Sequence, residues 1–132
     1  MENAQAPAAS DGTIDLSNER FSIHYTRNVV STDFGGEPCL LVYYDYTNNG
    51  SGASSAMVDV NLTAYQNGAS LEAAIPANSD SAIDAFMKEI QPGETVNVCQ
   101  AFSLKDMSPV TLQAVDAFGL DTSVTAVQTL NL

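Results

Sequence analysis

Apolar side chains recur at every second position along most of this chain. Phe21, Ile23 and Tyr25 alternate with Ser22, His24 and Thr26, and Leu40, Val42, Tyr44 and Tyr46 with Leu41, Tyr43 and Asp45. Val58, Val60, Leu62 and Ala64 alternate with Asp59, Asn61 and Thr63. Later runs fall at Val96, Val98 and Phe102, at Val110, Leu112 and Ala114, and at Val124, Ala126, Leu130 and Leu132. A strand turns successive side chains to opposite faces, so a period of two predicts half-buried strands. Turn residues separate the runs: Asp33-Phe34-Gly35-Gly36, Asn48-Asn49-Gly50-Ser51-Gly52, Pro92-Gly93 and Ser108-Pro109. Asn67-Gly68, between Tyr65-Gln66 and Ala69-Ser70-Leu71, predicts a tight hairpin with both central residues at positive φ. About seven strands joined in this way predict an all-β, antiparallel, immunoglobulin-like sandwich.

The stretch YYDYTNNGSGASS, residues 43–55, sets three tyrosines directly against a polar run that buries nothing. On the sandwich reading Tyr44 and Tyr46 fill the space between sheets. The Asn/Gly run then hands the chain to the other sheet through left-handed backbone. Tyr43 and Tyr65 are outward by alternation, on opposite outer faces, and so form no shared platform for sugars.

One segment departs from the period of two. Behind Asn78-Ser79-Asp80-Ser81, the residues Ile83, Phe86, Met87 and Ile90 fall at i, i+3, i+4 and i+7. That spacing predicts a short helix near residues 80–90 packing as a lid on an open edge or end of the sandwich. A partner-facing helix is the sharper alternative. As a lid it would bury Ile83, Phe86 and Ile90 and turn Asp80, Asp84 and Lys88 to water.

At 132 residues the chain forms one domain. Residues 1–16, rich in Ala, Pro and Ser, are expected to be a flexible tether, with the domain spanning 17–132. Sixteen acidic against four basic residues, a net charge of −12, exclude nucleic acid as a partner, because phosphate binding needs a Lys/Arg footprint. No apolar run approaches the roughly 18 residues of a membrane span, so no transmembrane segment is expected. The start MENAQAPAASDGT has neither the basic nor the apolar region of a signal peptide, which fits a cytosolic chain or an already trimmed, mature form.

Chemical motifs are sparse. The single histidine, His24, sits in a strand on the face opposite Phe21 and Ile23 and points to water, without a nucleophile to serve. GxSxG, P-loop, HExxH, CxxC and GxGxxG patterns are absent. Residues 78–89 offer acids at some calcium-hand positions, but Ile83 stands where the loop needs glycine. No catalytic residue, metal site or cofactor is therefore expected. Paired carboxylates for glycan hydrolysis remain open among sixteen acids. Cys39 and Cys99 share outward faces of strands that neighbour each other in an immunoglobulin-like sheet. A disulfide is one outcome and two free thiols the other, depending on register.

CLLVYYDYTNNG, AYQNGASLE, QPGETVNVCQAFSL and SPVTLQA, covering most of residues 21–116, together resemble a family of small immunoglobulin-like domains of unknown function. The family occurs in secreted and lipoprotein-anchored proteins of Gram-positive bacteria. The resemblance implies an exported protein whose N-terminal stretch follows a removed signal or a lipidated cysteine, although no cysteine lies near this start. It carries over no activity and no site residues. The expected function is a non-catalytic binding or structural module, extracellular or in the cell envelope, with an unknown protein or glycan partner. The alternative is a small envelope-acting glycan hydrolase.

Overall fold

Two antiparallel four-stranded sheets face each other in the computed structural model, which describes residues 13–116 and 125–132. The order along the chain is β1 (Asp15–Ser17), β2 (Phe21–Thr32), β3 (Pro38–Asn48), α1 (Ala56–Asp59), β4 (Val60–Gln66), β5 (Ala69–Ser70), α2 (Ser81–Ala85), β6 (Thr95–Ser103), β7 (Val110–Asp116) and β8 (Thr125–Leu130). One sheet runs β1-β2-β3-β6 and the other β5-β4-β7-β8, so the all-β sandwich read from the period of two is the observed fold. The inward members of the alternating runs form one core: Phe21, Ile23, Leu40, Val42, Tyr44, Tyr46, Val98, Leu112 and Ala114 are all buried in it. Val58 is an exception. It belongs to α1 and is exposed, so the strand that follows begins at Val60. Leu132 lies beyond β8 and is also exposed, while Val124 falls outside the described residues.

The packed domain begins ahead of residue 17. Ile14 and Leu16 are buried core residues, and β1 pairs Leu16 with Ile23. A three-residue strand has too few positions for alternation to stand out from the Ala/Pro/Ser stretch before it. The remainder of the stretch expected to be a tether, residues 1–12, lies outside the described residues.

The turns follow their chemistry with one correction. Asn67 (φ 53°) and Gly68 (φ 84°) close the β4–β5 hairpin in the left-handed region, as Asn-Gly predicts. A Cβ at Gly68 meets open space, so Gly68→Ala tests backbone conformation alone. It is expected to cost about 1–2 kcal/mol in urea unfolding. The corner after β3, by contrast, contains no left-handed residue, since positive φ is confined to Gly36, Asn67, Gly68 and Gly93 among the described residues. Its turn is held by a side chain. Asn48, 1% exposed, donates from Nδ2 to the carbonyls of Gly52 (2.8 Å) and Ile90 (3.0 Å), and its Oδ1 accepts from the Gly50 amide (2.9 Å).

A β-bulge between Tyr25 and Arg27 shifts the register of β2 against β3, exchanging the faces of every later side chain. Arg27 therefore lands over the Tyr43 ring, its guanidinium carbon 3.8 Å from the centroid. The outer face of this sheet is dry over part of its area. Cys39, Leu41, Tyr43, Ala82 and Cys99 form a second buried cluster there, with Val29 and Ile83 packed against it.

The short helix α2 makes this possible. Ala82 and Ile83 reach the outer cluster, while Ala85, with Phe86 and Ile90 after it, reaches the core between sheets. The segment thus straddles β6, the edge strand, as a lid. The helix is shorter than its spacing suggested: it ends at Ala85, leaving Ile83 and Phe86 half-buried and Met87 exposed, with Ile90 buried from the irregular stretch beyond. Asp84 and Lys88 face water as expected.

Asp80 holds the lid in place. Its Oδ1 accepts from the Ile83 amide (2.8 Å), capping the helix, and its Oδ2 accepts from the Tyr43 hydroxyl (2.7 Å). Burial alone would raise this carboxyl, but the Tyr43 hydroxyl, the Ile83 and Ala82 amides and Arg27 outweigh it and hold the pKa below its ordinary value. A depressed folded pKa stabilises fully above the unfolded value and is lost as pH falls through the folded one. The advantage of the native chain over Asp80→Asn in urea is therefore expected to shrink below about pH 4. An advantage unchanged from pH 7 to pH 3 would show that the carboxylate charge does not hold the lid.

Cys39 and Cys99 are neighbours by strand and not by register. Cys39 pairs with Ser103 and Cys99 with Tyr43, four positions apart on β6 and on the same outer face. At about 3.3 Å per residue that offset is roughly 13 Å, beyond the ~7 Å reach of a disulfide. Both are free buried thiols. Burial, then the Asp33 charge, raises the Cys39 thiol, and burial, then Asp80, pushes Cys99 up to about 12. Two thiols per chain should titrate in denaturant without reductant, and both should react slowly in the native protein.

Candidate functional site

The stretch that fills the core with tyrosines also builds a polar cleft. The loop from Asn48 to Ser54 leaves β3, turns on the Asn48 side chain and delivers the chain to α1, whose N-cap is Ser55. Across from it lies the β1–β2 turn, where Asn18 Oδ1 accepts from the amides of Arg20 (2.8 Å) and Phe21 (3.0 Å). Asn49 bridges the two, donating to the Asn18 carbonyl (3.1 Å) and the Ser22 hydroxyl (2.8 Å). Between loop and turn is an open cleft of about 640 Å³, with Glu19 and Arg20 on one side and Gly50–Ala53 on the other.

Its floor is a buried ion pair. Asp59, 4% exposed, ends α1 pointing inward. Its Oδ2 accepts from the Tyr46 hydroxyl (2.5 Å) and its Oδ1 lies 3.5 Å from Arg20 Nη1. A carboxylate taken from water is tolerated when paired and hydrogen-bonded, and here both oxygens are engaged. Burial, then the hydrogen bond to Asp59, drives the Tyr46 phenol pKa upward, so the hydroxyl remains a donor. Arg20 keeps more than a quarter of its side chain in water and also lies 5.8 Å from the Phe21 ring.

A second hollow, apolar and about 200 Å³, lies beside the lid, lined by Ala73, Pro76, Ile83, Phe86, Met87 and Phe102. It is smaller than the roughly 300 Å³ at which ligand pockets usually begin.

The residues singled out from sequence lie elsewhere. His24 is exposed on β2, and Asp15 Oδ1 stands 3.9 Å from its Nδ1. Tyr43 is outward as alternation required, yet buried beneath the lid with its phenol pushed up to about 12, chiefly by burial and then by Asp80. Tyr65 is half-buried on the other sheet and donates to Gln113 (3.4 Å). Neither tyrosine reaches the cleft. Sequence reasoning missed Asp59 because alternation read it as the wet side of a strand. The signal available was Ser55 four residues before it, an N-cap residue that breaks the strand pattern.

The family model for a domain of unknown function (DUF5067) matches residues 2–116, and the chain belongs to that family. No curated protein matches it. Among solved structures it is similar to a "putative lipoprotein" of Staphylococcus aureus, with a TM-score of 0.69, 9% identity, and 96% of this chain and 92% of that one covered. It is also similar to a "putative lipoprotein" of Bacillus subtilis, with a TM-score of 0.66 and 11% identity. That alignment covers 92% of this chain and 39% of the other, so the chain spans well under half of that protein. A third similar structure is a protein from Enterococcus faecalis, with a TM-score of 0.63, 18% identity, and 90% and 94% covered. At these identities the likeness concerns the fold. No helix among the described residues is long and apolar enough to cross a membrane.

Proposed function

We propose that this DUF5067 domain is a non-catalytic binding module of the cell envelope or extracellular space, working through the polar cleft. The observation that carries this is the buried Tyr46–Asp59–Arg20 arrangement under an open, polar cavity. Its volume falls within the ~300–1,000 Å³ of ligand sites. A floor whose carboxylate is already held by Tyr46 and Arg20 needs no reorganisation on binding, which lowers the cost of binding. The envelope location draws support from the names of the Staphylococcus and Bacillus neighbours. The immunoglobulin-like description draws on the handover from β3 in one sheet to β4 in the other.

The test uses sedimentation with Gram-positive envelope fragments. The native chain is expected to co-sediment and Gly52→Leu to lose most of that binding. A Cβ at Gly52 meets nothing within 4 Å, so a side chain is accommodated at this cleft-lining position without a clash at Cβ. Equal sedimentation of the two would remove the cleft from the function.

The second reading, a glycan hydrolase, has one observation behind it: Glu19 and Asp59 line the same cleft. A general acid needs a carboxyl free to carry a proton to the leaving group, whereas both oxygens of Asp59 are engaged by Tyr46 and Arg20. New reducing ends released by the native chain, and abolished in Glu19→Gln, would favour it.

A further inference from the structure

Resting on the reading of the cleft as a binding site, we infer that its ligand is a neutral, hydroxyl-rich molecule, a short run of sugar units without phosphate or carboxylate groups. Charge makes the first exclusion. The charged side chains at the cleft are Glu19, Arg20 and Asp59, one positive against two negative, and Arg20 lies against Asp59. On a chain of net charge −12 an anionic ligand meets repulsion from the site and from the surface around it. A multivalent cation is disfavoured too. Among the described residues no three Asp, Glu, His or Cys side chains gather to hold a metal, and both Asp59 oxygens already have partners.

The walls favour a ligand that is neither wholly apolar nor wholly polar. Glu19, Arg20, Asn49, Ser51 and Ser54 line the cleft together with Gly50, Gly52, Ala53 and Val58, so hydrogen-bonding and apolar surface are mixed in it. A sugar hydroxyl donates and accepts at once, and so matches such mixed walls where a purely accepting or donating ligand leaves half of them unpaired. Val58, exposed at the rim, supplies the apolar surface on which the C–H face of a sugar ring rests. No aromatic ring lines the cleft, so affinity is expected in the millimolar range, on the order of 10⁻³ M.

The experiment is a ¹⁵N–¹H NMR titration of the full chain with three separate probes: the neutral trisaccharide of N-acetylglucosamine, inorganic phosphate and spermidine. Saturable shifts at the amides of Arg20 and residues 49–54 are expected with the trisaccharide alone. Gly52→Leu should weaken them about tenfold while leaving the rest of the spectrum in place. Saturable shifts at the same amides with phosphate or spermidine, but not with the sugar, would overturn the ligand class and leave the cleft as the site. No movement of those amides with any probe would overturn the cleft itself.

Discussion

Asp59→Ala is expected to cost about 3 kcal/mol in urea unfolding, at the lower end of what breaking a buried ion pair costs. The substitution removes a partner from each of two groups. The Tyr46 hydroxyl, on a side chain with no exposure, loses its acceptor, and Arg20 loses the carboxylate 3.5 Å from it. Water still reaches Arg20, which keeps the cost below the upper range. Tyr46→Phe separates the two parts. It removes only the hydroxyl and leaves Asp59 beside Arg20, so about 1.5–3 kcal/mol is expected. A loss below about 1 kcal/mol for Asp59→Ala would show that the carboxylate is not structurally committed, and the rigid floor would no longer be part of the case for binding.

Asn48→Ala is expected to cost a comparable amount, about 2–4 kcal/mol, because one buried side chain makes three hydrogen bonds. The Ile90 carbonyl keeps a second donor, the Ser54 amide (3.1 Å), so the Gly52 carbonyl and the Gly50 amide bear most of the loss. Asn48→Asp is the sharper variant. A carboxylate still accepts from Gly50, yet places an oxygen where a donor faced the carbonyls of Gly52 and Ile90. It should destabilise at least as much as alanine. A mild effect from both variants would mean that the corner is held by its backbone, as left-handed glycines would hold it.

That corner marks where sequence stopped being informative. Alternation placed the core correctly at Phe21, Ile23, Leu40, Val42, Tyr44 and Tyr46, because a strand that buries one face must repeat every two residues. It failed where something other than periodicity decided burial. Leu41 and Tyr43 read as wet and are buried, since a distant helix capped by Asp80 covers their face. Asn48 and Asp59 read as turn and surface residues and are instead buried hydrogen-bonding hubs. Their partners Ile90 and Arg20 lie 42 and 39 residues away in sequence, and no local pattern names such pairs. The facing of Cys39 and Cys99 was legible, but the four-residue offset was not. Register between strands so far apart depends on the whole sheet.

The pairing of β3 with β6 also bears on how the chain reaches its fold. Tyr44 pairs with Val98 and Tyr46 with Val96, contacts spanning about fifty residues, whereas the β2–β3 hairpin closes over a few. Topology rich in such distant pairings slows folding to the range of milliseconds to seconds. Until residues through Ser103 have emerged and docked, one edge of Cys39–Tyr46 stands open, and the lid that covers its outer face has no β6 to sit on. The chain's most apolar run, Leu40-Leu41-Val42-Tyr43-Tyr44, is thus its point of greatest exposure to intermolecular strand pairing while folding is incomplete. The net charge of −12 opposes that pairing, because like charges on partly folded copies repel at every stage of folding.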